Sequence, residues 1–255
     1  MADKPSSGSR KENRRLTVVE DRNHYDDLAA HLSELARTLH QQAGTQDTFD
    51  EIVRAAVETV PGAQHAGLMT VVGKHEVQTV STTDALPGEV DQAQFDTGQG
   101  PCLDALFKDK IVSMPDVSRE TRWPAFTERA GLLKVSSMLS FQLFVQDDDL
   151  GALNLYSPEV EAFDEESRHI GSLFAGHAAV ALAAAQEREH LTEAMRTRDL
   201  IGQAKGILME RHKLTGDQAF TLLMRASQRA NIKLRDLAEK LVHTGELTPP
   251  SHNAR

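Results

Sequence analysis

The feature that most constrains this 255-residue chain is a stretch of about 50 residues, 164–213, with an unbroken helical pattern. Ser157-Pro158 and Phe163-Asp164 mark where it begins. Within it, Ile170, Phe174, His177, Ala181, Ala184, Arg188, Leu191, Met195 and Arg198 follow one another at alternating steps of four and three. That is the seam spacing of a coiled coil. Arg188 and Arg198 weaken the seam, and the Ala-rich run over residues 174–185 suits burial against a sheet equally well. The spacing predicts a homodimer paired in parallel through this helix, with packing on its own domain as the alternative.

Ahead of the long helix the pattern is mixed. Leu28, Leu32, Leu35 and Leu39 make a helical stripe over residues 25–42. A second helix, capped by Asp47 or Thr48, turns Ile52, Val53, Ala56 and Val57 inward and ends before Pro61-Gly62. Residues 66–72 and 77–82 read as strands joined by a turn at Gly73-Lys74. Residues 84–100, with Pro87-Gly88 inside them, read as a loop. A short helix over 102–108, a strand over 111–114 and a helical segment from Trp123-Pro124 to Gly131 follow. Strands over 136–145 and 151–156 are separated by the charged turn Asp147-Asp148-Asp149. An antiparallel sheet with helices on one side is the economical architecture.

Behind the long helix the sequence is all helical. Ile201, Ala204, Ile207 and Leu208 share one face. Thr215 and Gln218 have the spacing of a capping box, in which the hydroxyl and the amide each satisfy a free backbone N–H. The helix they open has Ala219, Phe220, Leu223 and Ala226 as core candidates. Asn231 reads as the N-cap of a third helix with Leu234, Leu237, Ala238 and Leu241 inward. The fold class is α+β: an antiparallel-sheet domain joined by a long helix to an all-α three-helix bundle. The expected boundaries are a disordered leader over 1–22, the sheet domain over 23–186, a coiled-coil linker over 187–198, the bundle over 199–243 and a disordered tail over 244–255.

Charge separates the two parts further. The whole chain carries −10, yet residues 204–242 hold eight basic residues against four acidic ones, so that segment is +4 and the remainder −14. A basic module on an acidic body is compatible with nucleic-acid binding. No apolar run reaches the ~18–20 residues that span a bilayer, and residues 1–15 lack the apolar core of a signal peptide. The expectation is a cytoplasmic protein without a membrane partner. The single cysteine, Cys102, excludes an internal disulfide and a Cys-rich metal cluster, and the eleven His residues make no ligand spacing. No metal is assigned, and no cofactor is identified.

Several motifs of the C-terminal segment carry a family resemblance. Arg198-Asp-Leu-Ile-Gly-Gln-Ala-Lys-Gly-Ile-Leu-Met-Glu-Arg-His212, Asp217-Gln-Ala-Phe220, Leu222-Leu-Met-Arg-Ala226 and Asn231-Ile-Lys-Leu-Arg-Asp236 together resemble the ANTAR domain, in the right order over roughly 45 residues. The resemblance implies an RNA-binding antitermination module that acts as a dimer on a pair of short hairpins in nascent RNA. On that reading Lys205, Arg211, Arg225, Arg229, Lys233 and Arg235 contact RNA. Lys205, Arg225, Lys233 and Arg235 match the family's basic positions; each taken alone is equally a solvated helix-face charge. Ala204, Gly206 and Ala226 are read as close-packing positions. With Phe220 placed on the apolar face, recognition is expected to rest on charge and hydrogen bonds.

Residues 25–186 resemble a GAF domain through Thr97-Gly-Gln-Gly-Pro-Cys-Leu-Asp-Ala105, Trp123-Pro-Ala-Phe126, Ser136-Ser-Met-Leu-Ser-Phe-Gln-Leu143 and Gly151-Ala-Leu-Asn-Leu-Tyr156. The resemblance implies a six-stranded antiparallel sheet flanked by helices, with a small-molecule pocket between sheet and loops. Pocket candidates are Cys102, Phe107, Trp123, Phe126, Met138 and Phe141, each of which also suits ordinary core. Cys102 follows Gly-Pro at a helix start, a setting that lowers a thiol's pKa. It lacks the following His of a bilin-attachment site. Methionine sulfoxide reduction, known in some GAF relatives, needs a second thiol, so the chain is read as a regulator and not an enzyme. A DNA-binding regulator with a helix-turn-helix-like output around residues 228–233 is the competing reading.

Overall fold

The computed structural model describes residues 30, 33–39, 41–42, 44–72, 76–145 and 148–247. The Gly73-Lys74 turn, Asp147, the leader over 1–22 and the last eight residues of the expected tail lie outside the described residues. The chain divides into two compact units, residues 1–186 and 187–255.

In the first unit, helix α1 (Thr45–Thr59) leads into strands β1 (His65–Val72) and β2 (Glu76–Thr82). Helices α2 (Ala85–Thr97) and α3 (Pro101–Phe107) follow, then β3 (Ile111–Met114) and α4 (Pro124–Ala130). Strands β4 (Ser137–Val145) and β5 (Asp148–Ser157) lead to the long helix α5 (Glu165–His212). The sheet order is β2-β1-β5-β4-β3 with every neighbouring pair antiparallel. Five strands are present among the described residues, one fewer than the resemblance implied.

Helices cover both faces of this sheet, not one. The reason lies in the central strands, which are apolar in both directions. Leu139, Phe141, Leu153 and Leu155 pack with Phe49, Ile52 and Val53 of α1 and with Phe174, Ala178 and Leu182 of α5. Met138 and Tyr156, one residue along, point the other way and pack with Val90, Trp123 and Phe126 beneath α2 and α4. Leu35 and Leu39 join the first of these cores. Ile170 and Phe174, the first two seam positions, are buried in it too, so the seam spacing there serves the sheet. A Cβ on Gly171 would stand 2.3 Å from the Phe141 ring, so glycine is what lets α5 approach β4.

Residues 85–97, read as loop from Pro87-Gly88, are helical. Asp84 caps this helix by accepting from the Leu86 N–H at 2.9 Å, and Pro87 lies in the first turn, where the missing N–H has no intrahelical acceptor to lose. Gly98 closes the helix in the left-handed conformation, at φ 64°.

The second unit contains the C-terminal turns of α5, then α6 (Gly216–Ala230) and α7 (Leu234–Thr244). Ala204, Leu208, Ala219, Leu223, Ala226, Leu237, Ala238 and Leu241 form its core. The capping box is present: Thr215 N–H donates to Gln218 Oε1 at 2.9 Å, and Gln218 N–H to Thr215 Oγ1 at 3.3 Å. Asn231 does not start α7; at φ 52° and ψ 42° it ends α6 in the left-handed region, which Asn tolerates better than most residues. Lys233 precedes α7 instead, its carbonyl accepting from Leu237 N–H at 3.1 Å.

Candidate nucleic-acid interface

Each helix of the second unit buries one stripe and leaves its basic residues outside. On α5, the Lys205 ammonium stands 5.9 Å from the centroid of the Phe220 ring. Arg211 donates from Nη1 to the Gly245 carbonyl at 2.5 Å, so its guanidinium neutralises the carbonyl end of α7. Arg225 borders a groove of about 580 Å³ with His212, Gln218 and Thr221. Arg229 is exposed and donates to the Arg225 carbonyl at 3.3 Å. Lys233 is exposed at the start of α7, where the helix's first backbone N–H groups also favour an anion. Arg235 forms an ion pair with Glu193 of α5 and a looser one with Asp236 at 3.4 Å.

The six cations therefore fall in distinct places. Lys205 borders a groove that Glu193, the partner of Arg235, also lines. Arg225 belongs to a second groove, and Arg211 to a third with Gly206 and Lys213. The Arg235–Glu193 pair is half-exposed. Such pairs contribute about 0–1 kcal/mol, so an arriving phosphate can take Arg235 at little cost. Ala204 and Ala226 are close-packed as expected. Gly206 is not: it is exposed, and a Cβ there would meet nothing within 4 Å.

The pocket candidates of the first unit split four ways. Trp123, Phe126 and Met138 share one buried cluster, with the Trp123 indole N–H donating to Asp104 Oδ2 at 3.1 Å. Cys102 is buried among Met69, Leu106 and Ala152. Phe141 faces the other side of the sheet, because β4 alternates and Phe141 shares its direction with Leu139. Phe107, 56% exposed at the end of α3, lines no core. The Cys102 thiol is pushed up, not down: complete burial disfavours the thiolate, and the Asp91 carboxylate adds to it. Its backbone N–H donates to Gln94 Oε1 at 3.0 Å.

Asp91 is the residue that sequence reasoning passed over. Fully buried on α2, it accepts from the Tyr156 hydroxyl at 2.6 Å and from Thr79 Oγ1 at 2.7 Å. Burial raises its pKa to about 6 against the two hydrogen bonds that favour the carboxylate. Gln94 Nε2, three residues further along α2, and Ser140 Oγ on β4 are buried without a hydrogen-bond partner among the described residues. Among the described residues, no group of three or more His, Cys, Asp or Glu is placed to hold a metal ion.

Family profiles decide what these two units are. The profile described as GAF domain matches residues 42–183, and the one described as ANTAR domain matches residues 189–242. The chain is a GAF–ANTAR protein. Its first unit is similar in fold to the GAF domain of a phosphoenolpyruvate-protein phosphotransferase from Coxiella burnetii. That match has 17% identity, covers 64% of this chain and 96% of that one, and has a TM-score of 0.50. It is similar also to a bacteriophytochrome from R. palustris, at 11% identity over 71% of this chain and 43% of that one, with a TM-score of 0.52. These likenesses concern the fold alone. No curated protein matches the chain in sequence. GAF is a sensor domain and ANTAR an RNA-binding antitermination domain, so the GAF–ANTAR protein is a sensor–regulator. Both domains are regulatory in kind. Among the described residues, no helix is long and apolar enough to cross a membrane.

Two features of the ANTAR unit escaped the sequence pattern. Phe220 is not core; it is 36% exposed beside Lys205, because the buried stripe of α6 runs through Ala219, Leu223 and Ala226. Arg198, read as a weak point of a coiled-coil seam and as the start of the ANTAR motif but not as a site residue, lines the same groove as Phe220 and Lys205. The helical offset of Phe220 from that stripe, about 100° per residue, was the signal available in the sequence.

Proposed function

We propose that this protein is a signal-responsive antiterminator whose ANTAR unit binds paired hairpins in nascent RNA and thereby prevents a competing terminator from forming. The observation that carries the reading is the matched three-helix unit with exposed cations on all three helices. Lys205, Arg225, Arg229, Lys233 and Arg235 supply phosphate contacts. Arg211 divides its role between RNA and the end of α7. Two copies pair through the long helix, a reading supported by Leu191 and Met195, which are 56% and 68% exposed on α5. The GAF unit senses a small polar molecule or a partner between the sheet and α2–α3. Gln94 Nε2 and Ser140 Oγ, buried without a hydrogen-bond partner among the described residues, support that placement: Gln94 accepts from the Cys102 N–H, and Ser140 lies on the same strand as Met138. The signal then alters the packing of α5. The lone, buried Cys102 argues against thiol catalysis, and the protein acts in the cytoplasm as a regulator, not an enzyme.

The deciding experiment measures binding of the full chain to paired-hairpin RNA from its host's transcript leaders at two salt concentrations, with duplex DNA as competitor. Charge alone binds both polymers, so hairpin selectivity that survives at higher salt is the expected result. Equal competition by duplex DNA would refute it and leave a DNA-binding regulator. Lys233→Ala should lower affinity across all hairpins and reduce the salt slope by about 1. Light scattering of the Leu191→Glu, Met195→Glu variant should give a monomer where the parent gives a dimer.

A further inference from the structure

We propose that the groove between α5 and Phe220 of α6 holds one unpaired base of the RNA loop, stacked on the Phe220 ring. This rests on the RNA-binding reading and adds to it a subsite with its own chemistry. The groove is about 610 Å³, inside the ~300–1,000 Å³ range of clefts that hold small ligands. Phe220 forms one wall, and Thr197, Arg198, Gly202 and Lys205 line the side given by α5.

Three observations point to a base. The first is the aromatic ring itself. A large apolar side chain left 36% exposed, beside a core that is completed by Ala219, Leu223 and Ala226, is not explained by packing. Every base has a π-face, and stacking on an aromatic ring is how single-stranded segments are held without reading sequence. The second is the charge at the rim. The Lys205 ammonium lies within cation–π reach of the ring, 5.9 Å from its centroid, and Arg198 lies on the same wall. Two cations flanking an aromatic ring match a nucleotide, which offers phosphate and base together. Glu193, the acidic group in the groove, is outnumbered there by Arg198 and Lys205, so the groove keeps a net positive charge even when Arg235 turns from Glu193 to an RNA phosphate. The third is Gly202. Glycine inside a helix is less stable than alanine, yet a Cβ here would meet nothing within 4 Å, so no neighbour in the fold demands its small size. The bare backbone widens the groove opposite the ring for something that arrives from outside.

The test uses the full chain and two stem-loop RNAs from the leader-hairpin set, identical except that one carries abasic residues in place of its loop bases. The parent should bind the intact loop about 5- to 150-fold tighter than the abasic one, the range that alanine substitution at stacking sites implies. Phe220→Leu keeps apolar volume and removes the stacking face; it should erase that difference and leave abasic affinity unchanged, while Phe220→Trp should retain it. A thermal melt matching the parent's establishes that Phe220→Leu is folded. Four results overturn the proposal. If Phe220→Leu weakens both RNAs equally, the ring supports the fold and not a base. If it changes the oligomeric state and spares RNA binding, the groove is covered by a second copy. If the parent binds the loop well without distinguishing intact from abasic, stacking fails while the RNA-binding reading stands. Binding of neither stem-loop above duplex DNA removes both.

Discussion

Replacing Asp91 by Asn should abolish a specific pH dependence of the GAF unit's stability. Asp91 is fully buried, and its folded pKa is about 6 against an ordinary 3.8. The folded state thus holds its proton over a pH range in which the unfolded chain has released it. Below pH 3.8 both states are protonated and the contribution is fully present; as pH rises through 6 it is lost. At 1.36 kcal/mol per pH unit, the loss between those limits is about 3 kcal/mol. Burial admits little solvent screening here, so the figure stands as an order of magnitude. Other carboxylates work in the opposite direction. Glu120, hydrogen-bonded by Arg122, and Asp96, hydrogen-bonded by Gln92 and then Arg129, are held below their ordinary range, and they stabilise the fold as pH rises. The quantity to measure is therefore the difference between the parent and Asp91→Asn at each pH. Urea unfolding followed by the fluorescence of Trp123, the sole tryptophan, reports this unit selectively, since Trp123 packs in the same core as Val90 and Tyr156. The parent should lose about 3 kcal/mol relative to the variant between pH 3.5 and 7, most of it between 4 and 6. A difference that stays constant across that range would refute the reasoning, because it would mean that Asp91 titrates alike in both states.

Gly171→Ala should destabilise the same unit by about 1–3 kcal/mol, because the new methyl group meets the Phe141 ring at 2.3 Å and the sheet or α5 must shift; the urea midpoint checks it. Thr215→Ala removes one arm of the capping box and should cost the ANTAR unit about 0.5–2 kcal/mol, read in the thermal melt by circular dichroism. Cys102, buried and with its thiol pushed above the ordinary range, should react with a thiol reagent only as fast as the unit opens. Native labelling at the rate of a free thiol would contradict that.

The chain's local chemistry was legible wherever it involves neighbours in sequence. The α5 periodicity, the Thr215–Gln218 box and the strand over 111–114 each depend on residues within a few positions of one another, so spacing alone determined them. The motifs of residues 198–236 likewise determined the family, since their order needs no tertiary information. What reads ambiguously on a line was decided by the folded backbone, at some positions through partners distant in the chain. Pro87-Gly88 suggests a loop until Asp84 is seen capping the turn that contains it. Asn231 suits either end of a helix, and the backbone at φ 52° makes it an ending. Ile170 and Phe174 fit a coiled-coil seam as well as a sheet core; the approach of β4 across Gly171 assigns them to the sheet. Helices on both sheet faces, the Asp91–Tyr156 hydrogen bond across 65 residues and the groove joining Arg198 to Phe220 have no local signature. Burial, and the pKa shifts that follow from it, are properties of the assembled surface, and only the folded chain sets them.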